Sequence, residues 1–284
     1  NQTGTAVLPF ALQYCSRQDS ALIAVPFLWR SRVESIALIT GASRGIGKSI
    51  ALALAKDGAH VICAATEARN SGKVVAEIQA AGGKATAVGC LVENPLAVKR
   101  MFAEVLDQAG PVDVLINNAG ISKPMLTMEM TEENWDQHMN INCKSIFLCS
   151  QAAALQMKMN NGGSIINIGS ILGRNAFPAT LGYCASKAAV DQMTKVMAIE
   201  WARYGIRVNC IAPGYIRTEL IDQLAVDGKV KLKDLERRTP QRRLGTGDDI
   251  ANAVRYVASE GAAFMTGETL VVDGGWTAFG YYQT

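Results

Sequence analysis

One stretch constrains the fold of this chain more than any other: the apolar run Ile36-Ala-Leu-Ile-Thr40, the turn Gly41-Ala-Ser-Arg-Gly45-Ile-Gly47, and the Ala/Leu-rich run from Lys48 to Gly58. The first reads as a short buried strand, the second as a tight turn, and the third as a helix closed by a C-terminal glycine. A strand feeding a helix through glycines leaves the N–H groups of the helix start pointing outward, where a pyrophosphate is received. The spacing is G-x-x-x-G-x-G, not G-x-G-x-x-G, and a glycine turn by itself is as often structural. Its place between strand and helix is what points to a dinucleotide.

The alternation continues to the end of the chain. Residues 60–64, 84–89, 112–117, 164–168, 206–211 and 269–272 read as strands, and 68–80, 95–108, 132–159, 182–204 and 248–259 as helices. Repeated βα units predict an α/β domain with a single doubly wound parallel sheet of about seven strands and helices on both faces. Ligands of such sheets gather beyond the strand carboxyl ends, where Gly41, Asn118, Ser170 and Pro213 all fall.

Within that frame, 170–187 offers a hydroxyl, a phenol, and an amine four residues after the phenol. On a helix over 182–204, Tyr183 and Lys187 stand one turn apart on the same face. A phenol of unperturbed pKa near ~10 is a poor base at neutral pH. An ammonium beside it, and a cationic cofactor ring, predict a lower value. Ser170 then holds a substrate oxygen against the phenol, which describes hydride transfer without a metal. Each residue has a plainer reading: Ser170 as a turn hydroxyl, Asn142 as a polar group inside a helix, Lys187 as a solvated lysine. Their convergence weighs against all of these holding at once.

Composition sets the outer bounds. At 284 residues and 49% hydrophobic, the chain has material for one large core, and a net charge of +3 gives no reason to expect nucleic acid. Its seven cysteines form no C-x-x-C pair and several lie in apolar runs, so they read as reduced core residues of an intracellular protein. Two histidines, His60 and His138, leave little for a metal site, and none is expected. No apolar run approaches the ~20 residues of a membrane span.

Thr40-Gly-Ala-Ser-Arg-Gly-Ile-Gly47, Asn117-Asn-Ala-Gly120, Asn142, Ser170, Tyr183, Lys187 and Pro213-Gly214 together resemble the short-chain dehydrogenase/reductase family, over Ile36 to about Trp276. The pattern is most similar to 3-oxoacyl-(acyl-carrier-protein) reductases, through the glycine turn, Ile168-Gly-Ser, Arg243-Leu-Gly and Thr266-Gly-Glu-Thr-Leu. The resemblance implies a Rossmann-type fold and an NADP(H)-dependent oxidoreductase. In it Tyr183 is the general acid of reduction, and Lys187 holds the nicotinamide ribose and tunes Tyr183. Ser170 positions the carbonyl, and Asn142 supports a water-linked proton relay to Lys187. Implied cofactor contacts are Gly41, Ser43, Arg44, Gly45, Ile46, Gly47, Thr66, Leu91, Asn118, Ala119, Gly120, Tyr183, Lys187, Pro213, Gly214, Ile216 and Thr218. Also implied are a homotetramer using the helices over 132–159 and 183–204, and a small-molecule or acyl-thioester substrate, with no nucleic acid or membrane as partner.

Two positions depart from the family pattern. The end of the second strand, about Ala65 and followed by Thr66, lacks the acid that accepts the ribose hydroxyls of NAD. With Arg44 in the glycine turn, NADP is favoured. Beside the adenine, the usual Asp-Val or Asp-Leu is Cys90-Leu91, which removes one hydrogen bond to the adenine amino group.

Residues 214–243 read as a lid carrying Lys229, Lys231, Lys233, Arg237, Arg238, Arg242 and Arg243 against five acids. A basic lid suits a carrier protein or a phosphorylated substrate; such charges more often solvate an exposed helix. The aromatic tail, 275–282, is placed to reach a neighbouring subunit or the substrate mouth. Residues 1–35 form an extension of unclear role, read as a targeting remnant, as the end of a preceding domain, or simply as a poorly specified leader. The location expected is cytoplasmic, or an organellar matrix if the extension is a targeting remnant. Three functions compete: a 3-oxoacyl-thioester-type ketone reductase, a polyol or sugar-acid dehydrogenase of the same fold, and a catalytically silent binding protein. The intact Ser170, Tyr183 and Lys187 speak against the last.

Overall fold

A computed structural model describes residues 35–226, 228 and 230–280. The readings of residues 1–34, and those placed on Asp227, Lys229, Tyr281 and Tyr282, lie outside the described residues. Strand β1 (Ile36–Thr40) is buried along its whole length. Its side chains alternate, with Ile36 and Leu38 entering one core and Ala37 and Ile39 the other. That is the period of two expected of a strand covered on both faces.

The chain then alternates as its sequence predicts: α1 (Gly45–Lys56), β2 (His60–Ala65), α2 (Ala68–Ala80), β3 (Lys84–Gly89), α3 (Pro95–Gln108) and β4 (Val114–Asn117). There follow α4 (Glu132–Met139), α5 (Ser145–Met159), β5 (Gly163–Ile168), α6 (Leu181–Trp201), β6 (Ile206–Pro213), α7 (Glu219–Val226), α8 (Leu232–Arg238), α9 (Gly247–Ala258) and β7 (Thr269–Val272). The seven strands form one sheet in the order β3-β2-β1-β4-β5-β6-β7, every neighbouring pair parallel. Helices α3, α5 and α6 pack Phe102, Ile146, Met157 and Val190 on one face, while α1, α2 and α9 pack Ile50, Leu54, Ile78 and Val254 on the other. Strand order reverses between β1 and β4, the switch point where sheets of this kind form a crevice beyond the strand ends.

One element differs from the sequence reading. The helix predicted over 132–159 is interrupted by a π-turn, Asn140–Lys144, in which the Ser145 N–H reaches back to the Asn140 carbonyl. The hydroxyl of Ser145 donates to the Ile141 carbonyl at 2.5 Å. A single inserted π-turn leaves the apolar periodicity on either side almost unchanged, so the pattern alone does not reveal it. Asn142 sits inside this turn.

Candidate active site

The crevice is closed by the carboxyl ends of β1 and β4, tied to each other. The Thr40 hydroxyl accepts from the N–H groups of Asn118 and Ala119, both at 3.0 Å. The Asn118 side-chain amide donates to the carbonyls of Thr40 and Gly41 at 2.9 and 3.0 Å. Gly41 has φ 66°, and a Cβ on Gly47 would lie 2.3 Å from the Gly41 oxygen and 2.5 Å from Asn118 Nδ2. These glycines are therefore required sterically, and they leave an open cradle at the start of α1. Thr218 closes its rim, 3.5 Å from where a Gly45 Cβ would stand. A dinucleotide pyrophosphate fits this cradle: glycine backbone, helix N-terminus and no acidic residue in the first turn of α1.

Further along the sheet edge, Ala65 ends β2 opposite Gly89, and Thr66 beyond it is exposed, its hydroxyl accepting from the Asn70 amide at 2.9 Å. Arg44 is exposed at the glycine turn. Glu67, the acid nearest this point, is paired with Arg69 at 2.5 Å. Cys90 is buried, its N–H on the Ala65 carbonyl, while Leu91 is half exposed. On the far side, Gly214 N–H donates to the Val272 carbonyl and Ile216 pairs with Gly245, which holds the segment carrying Pro213 and Thr218 over the crevice.

Ser170 follows β5, its hydroxyl accepting from Leu172 N–H at 3.1 Å, and Tyr183 lies in the first turn of α6. Lys187, one turn along α6, is buried, with Nζ donating to the Ile168 carbonyl at 2.7 Å and lying 5.8 Å from the Tyr183 ring centre. Ser43 and Ile46 lie in the same glycine turn, half buried. Asn142 is fully engaged. Its Oδ1 accepts from Ile121 N–H at 2.8 Å, and its amide donates to the Ile121 carbonyl and the Ser186 hydroxyl at 2.9 and 3.1 Å. Gly120 lies between Asn142 and Lys187: a Cβ there would be 3.3 Å from Asn142 Oδ1 and 3.7 Å from Lys187 Nζ. The π-turn thus sends one side chain across to the loop after β4 and brings three candidate elements to one point.

Electrostatics differ from the sequence expectation in one respect. Burial pushes the Tyr183 phenol above its ordinary value, and the hydrogen bond from Ser170 only partly opposes this. The predicted lowering by Lys187 is absent in the chain alone. That ammonium donates to the Ile168 carbonyl, and its own burial lowers it to about 8. A phenol kept protonated is an acid, not a base, at neutral pH.

Several residues that build the site carried no role in the sequence reading. Thr40 ties β1 to β4, and a hydroxyl directly before the glycine turn is the signal that marks it. Ser186 holds Asn142 and donates to the Tyr183 carbonyl. Beneath the site a buried polar chain runs from Ser150 through Asn117 and Asn167 to Thr194, each contact 2.9 Å, joining β4 and β5 to α5 and α6. His138 spends both ring nitrogens internally, Nδ1 on the Asn134 carbonyl and Nε2 accepting from Lys123 N–H.

Comparison with known proteins agrees with this geometry. The family profile described as enoyl-(acyl carrier protein) reductase matches residues 41–277. The chain is 42% identical over 240 residues to a 3-oxoacyl-[acyl-carrier-protein] reductase of Staphylococcus epidermidis, covering 84% of this chain and 97% of that protein. It is 39% identical over 246 residues to the protein of the same description from Synechocystis, covering 86% and 97%. Among solved structures, a short-chain type dehydrogenase/reductase from Mycobacterium marinum superposes with TM-score 0.82 at 39% identity, covering 86% of this chain and 96% of that one. A gluconate 5-dehydrogenase from Burkholderia cenocepacia, in complex with NADP and tartrate, superposes with TM-score 0.82 at 35% identity and the same coverage. With a glycine cradle at the switch point of a parallel sheet and a Ser-Tyr-Lys group facing it, the chain belongs to the short-chain dehydrogenase/reductase family and is an NAD(P)-dependent oxidoreductase.

Proposed function

We propose that this chain reduces a 3-oxoacyl thioester, or a closely related ketone, to the secondary alcohol at the expense of NADPH. The observation that carries the reading is Tyr183 set one helical turn from the buried Lys187, whose Nζ lies 5.8 Å from the Tyr183 ring centre and beside Gly120 in the loop after β4. The relatives named as 3-oxoacyl reductases supply the substrate class.

The glycine cradle would hold the cofactor's pyrophosphate, and the reduced nicotinamide would supply a hydride to the carbonyl carbon. The chain does the rest. Ser170 and Tyr183 both donate hydrogen bonds to the carbonyl oxygen, and Tyr183 gives up its proton as negative charge grows there. Burial keeps that proton on Tyr183 until it is needed. Lys187 fixes the ribose end and places positive charge near the tyrosinate that forms. The Asn142 turn and Gly120 hold the floor between them, where a water would join Lys187 to solvent.

NADPH over NADH follows from Thr66 and Arg44 with no acid at Ala65, and from Glu67 being neutralised by Arg69. One charge-assisted contact to the 2′-phosphate, at about 1.5–3 kcal/mol, corresponds to a preference of roughly ten- to a hundredfold. We assign residues 36–284 to one catalytic domain, with 214–243 as the lid. The assembly proposed is a homotetramer: Phe147, Leu155 and Met159 on α5 and Val196 and Ile199 on α6 are exposed apolar side chains on the two helices expected at its interface. Reduced thiols at the six described cysteines suit the cytoplasm. No described helix is long and apolar enough to cross a membrane.

A second reading, a sugar-acid or polyol dehydrogenase, is favoured by the gluconate 5-dehydrogenase neighbour and by the segment Gly214-Tyr-Ile-Arg-Thr-Glu-Leu220. Initial rates with NADPH and acetoacetyl or 3-oxooctanoyl thioesters, set against rates with NADP and gluconate or polyols, separate the two. Thioester reduction outpacing every sugar acid by at least tenfold supports the first; the reverse order replaces it with the second.

A further inference from the structure

Behind the substrate side of the site, three distant chain segments are joined by one arginine. Tyr215, in the loop after β6, packs against Trp276 of the C-terminal tail, the ring planes tilted by 54° and the ring centres 4.6 Å apart. Arg238, at the end of α8, lies over the Trp276 ring at 4.8 Å and the Phe279 ring at 5.1 Å. The same guanidinium donates to the Trp276 carbonyl at 3.3 Å and the Phe279 carbonyl at 2.7 Å. Asp273 folds the tail at its root, accepting from the N–H groups of Gly275 and Thr277 at 2.8 Å each and from the Thr277 hydroxyl at 2.7 Å. The Gln241 N–H donates to the Gly274 carbonyl at 3.2 Å.

Tyr215 also borders a cavity of about 110 Å³ shared with Gln241, Arg243, Asp273 and Gly274. That is room for more than one water, so the segment carrying this ring is not fixed by dense packing on every side. Gly245 ties the backbone here, its N–H on the Tyr215 carbonyl at 2.9 Å, while the Tyr215 ring rests on Trp276 and Arg238 covers Trp276. Tyr215 follows β6 at the carboxyl edge of the sheet, where β6 lies beside β5 and the Ser170 that follows it; burial pushes its phenol up, and Tyr183 and Cys184 push it further.

We propose that Arg238 is a positioning residue for substrate selection, clasping the C-terminal tail to α8 so that the Tyr215–Trp276 pair stands as a fixed aromatic wall against the flank of the substrate carbonyl. The wall suits an unbranched methylene chain, which lies flat on aromatic rings and buries C–H surface there. The inference rests on the ketone-reductase reading and deepens it: the chain beyond the 3-oxo group is what the wall measures. A longer chain gains from the wall; the single methyl of an acetoacetyl group does not reach it.

The test compares Arg238→Met and Arg238→Lys with the unaltered enzyme on acetoacetyl-CoA and 3-oxooctanoyl-CoA. For Arg238→Met the expected result is a KM for 3-oxooctanoyl-CoA raised about tenfold, with kcat on acetoacetyl-CoA and the NADPH Kd within twofold. Arg238→Lys, which keeps a cation over the ring, should recover part of the KM. Adding Phe279→Ala to Arg238→Met should raise KM no further, because both act through one clasp. Equal losses on the short and long substrates, or no change on either, would overturn the clasp. If the unaltered enzyme reduces neither thioester, the substrate assignment fails separately. Hydrogen exchange then decides the clasp: Arg238→Met must speed exchange at 214–218 and 274–279 and leave 117–120 unchanged, and uniform or unaltered exchange would sink it.

Discussion

The two sides of the crevice are made of different material. On the β1–β4 side, the cradle is backbone: glycine contacts, N–H groups at a helix start, and one threonine and one asparagine tying two strand ends together. On the β5–β7 side, the site is side chains brought from far apart, with Ser170, Tyr183, Lys187, Tyr215, Arg238 and Trp276 spread over more than a hundred residues. A backbone site tolerates little added volume but is indifferent to most charge changes. A side-chain site tolerates changes in shape but depends on particular functional groups.

The largest effect expected falls on the side-chain face. Tyr183→Phe removes one oxygen and keeps the ring, so steady-state turnover should drop by ~10²–10⁴-fold while the NADPH Kd from fluorescence titration stays unchanged. A loss of cofactor affinity matching the loss of turnover would erase the division between the two sides.

Lys187 sits on the boundary, and its contribution is readable from pH. Its folded value is about 8 against an ordinary 10.5, so the unfolded chain holds the proton more tightly between those values. The neutral lysine's stabilising contribution is therefore complete above about 10.5 and is lost as pH falls through about 8. Across that window the cofactor-free enzyme should gain roughly 3 kcal/mol relative to Lys187→Met, by urea unfolding at pH 7.5 and 10.5. A constant difference between the two proteins would show that burial does not tune this amine.

On the backbone side, Gly47→Ala places a methyl against the Gly41 carbonyl. Overpacking of that kind costs about 1–3 kcal/mol, so the melting temperature should fall by several degrees and NADPH binding should be lost. An alanine variant that binds normally would mean the turn has slack the geometry does not show. The smallest effect expected comes from a charge change on the same side. Ala65→Asp should shift the ratio of NADPH to NADH specificity constants about tenfold toward NADH, through repulsion of the 2′-phosphate and acceptance from the ribose hydroxyls. No shift would move cofactor selection elsewhere, to Arg44 alone.

The contrast also explains what was legible. The cradle could be read from residues 36–58 because strand, turn and helix are local, and glycine has no substitute where a Cβ would meet a carbonyl. Tyr183 and Lys187 were legible for the same reason, being one helical turn apart. Asn142 was named through resemblance, but its π-turn and its hold on Ile121 were hidden, since one inserted residue per turn barely disturbs hydrophobic period. The upward push of burial on the Tyr183 phenol was not legible, because desolvation depends on packing and not on the spacing of Tyr183 and Lys187. Which of the lid's basic residues face inward was also out of reach: Arg238 is spent on the tail and Arg243 on Asp249 at 2.7 and 3.0 Å, whereas Lys231 and Lys233 remain exposed.

By itself the sequence determined the parallel sheet, the glycine cradle and the spacing of the phenol and amine, because these follow from backbone geometry over a few residues at a time. Only the tertiary structure decided the protonation of Tyr183, the aim of the Lys187 ammonium at Ile168, and the joining of Tyr215, Arg238 and Trp276. Each of those depends on burial and on contacts between segments far apart in the chain, and neither quantity is carried by local pattern.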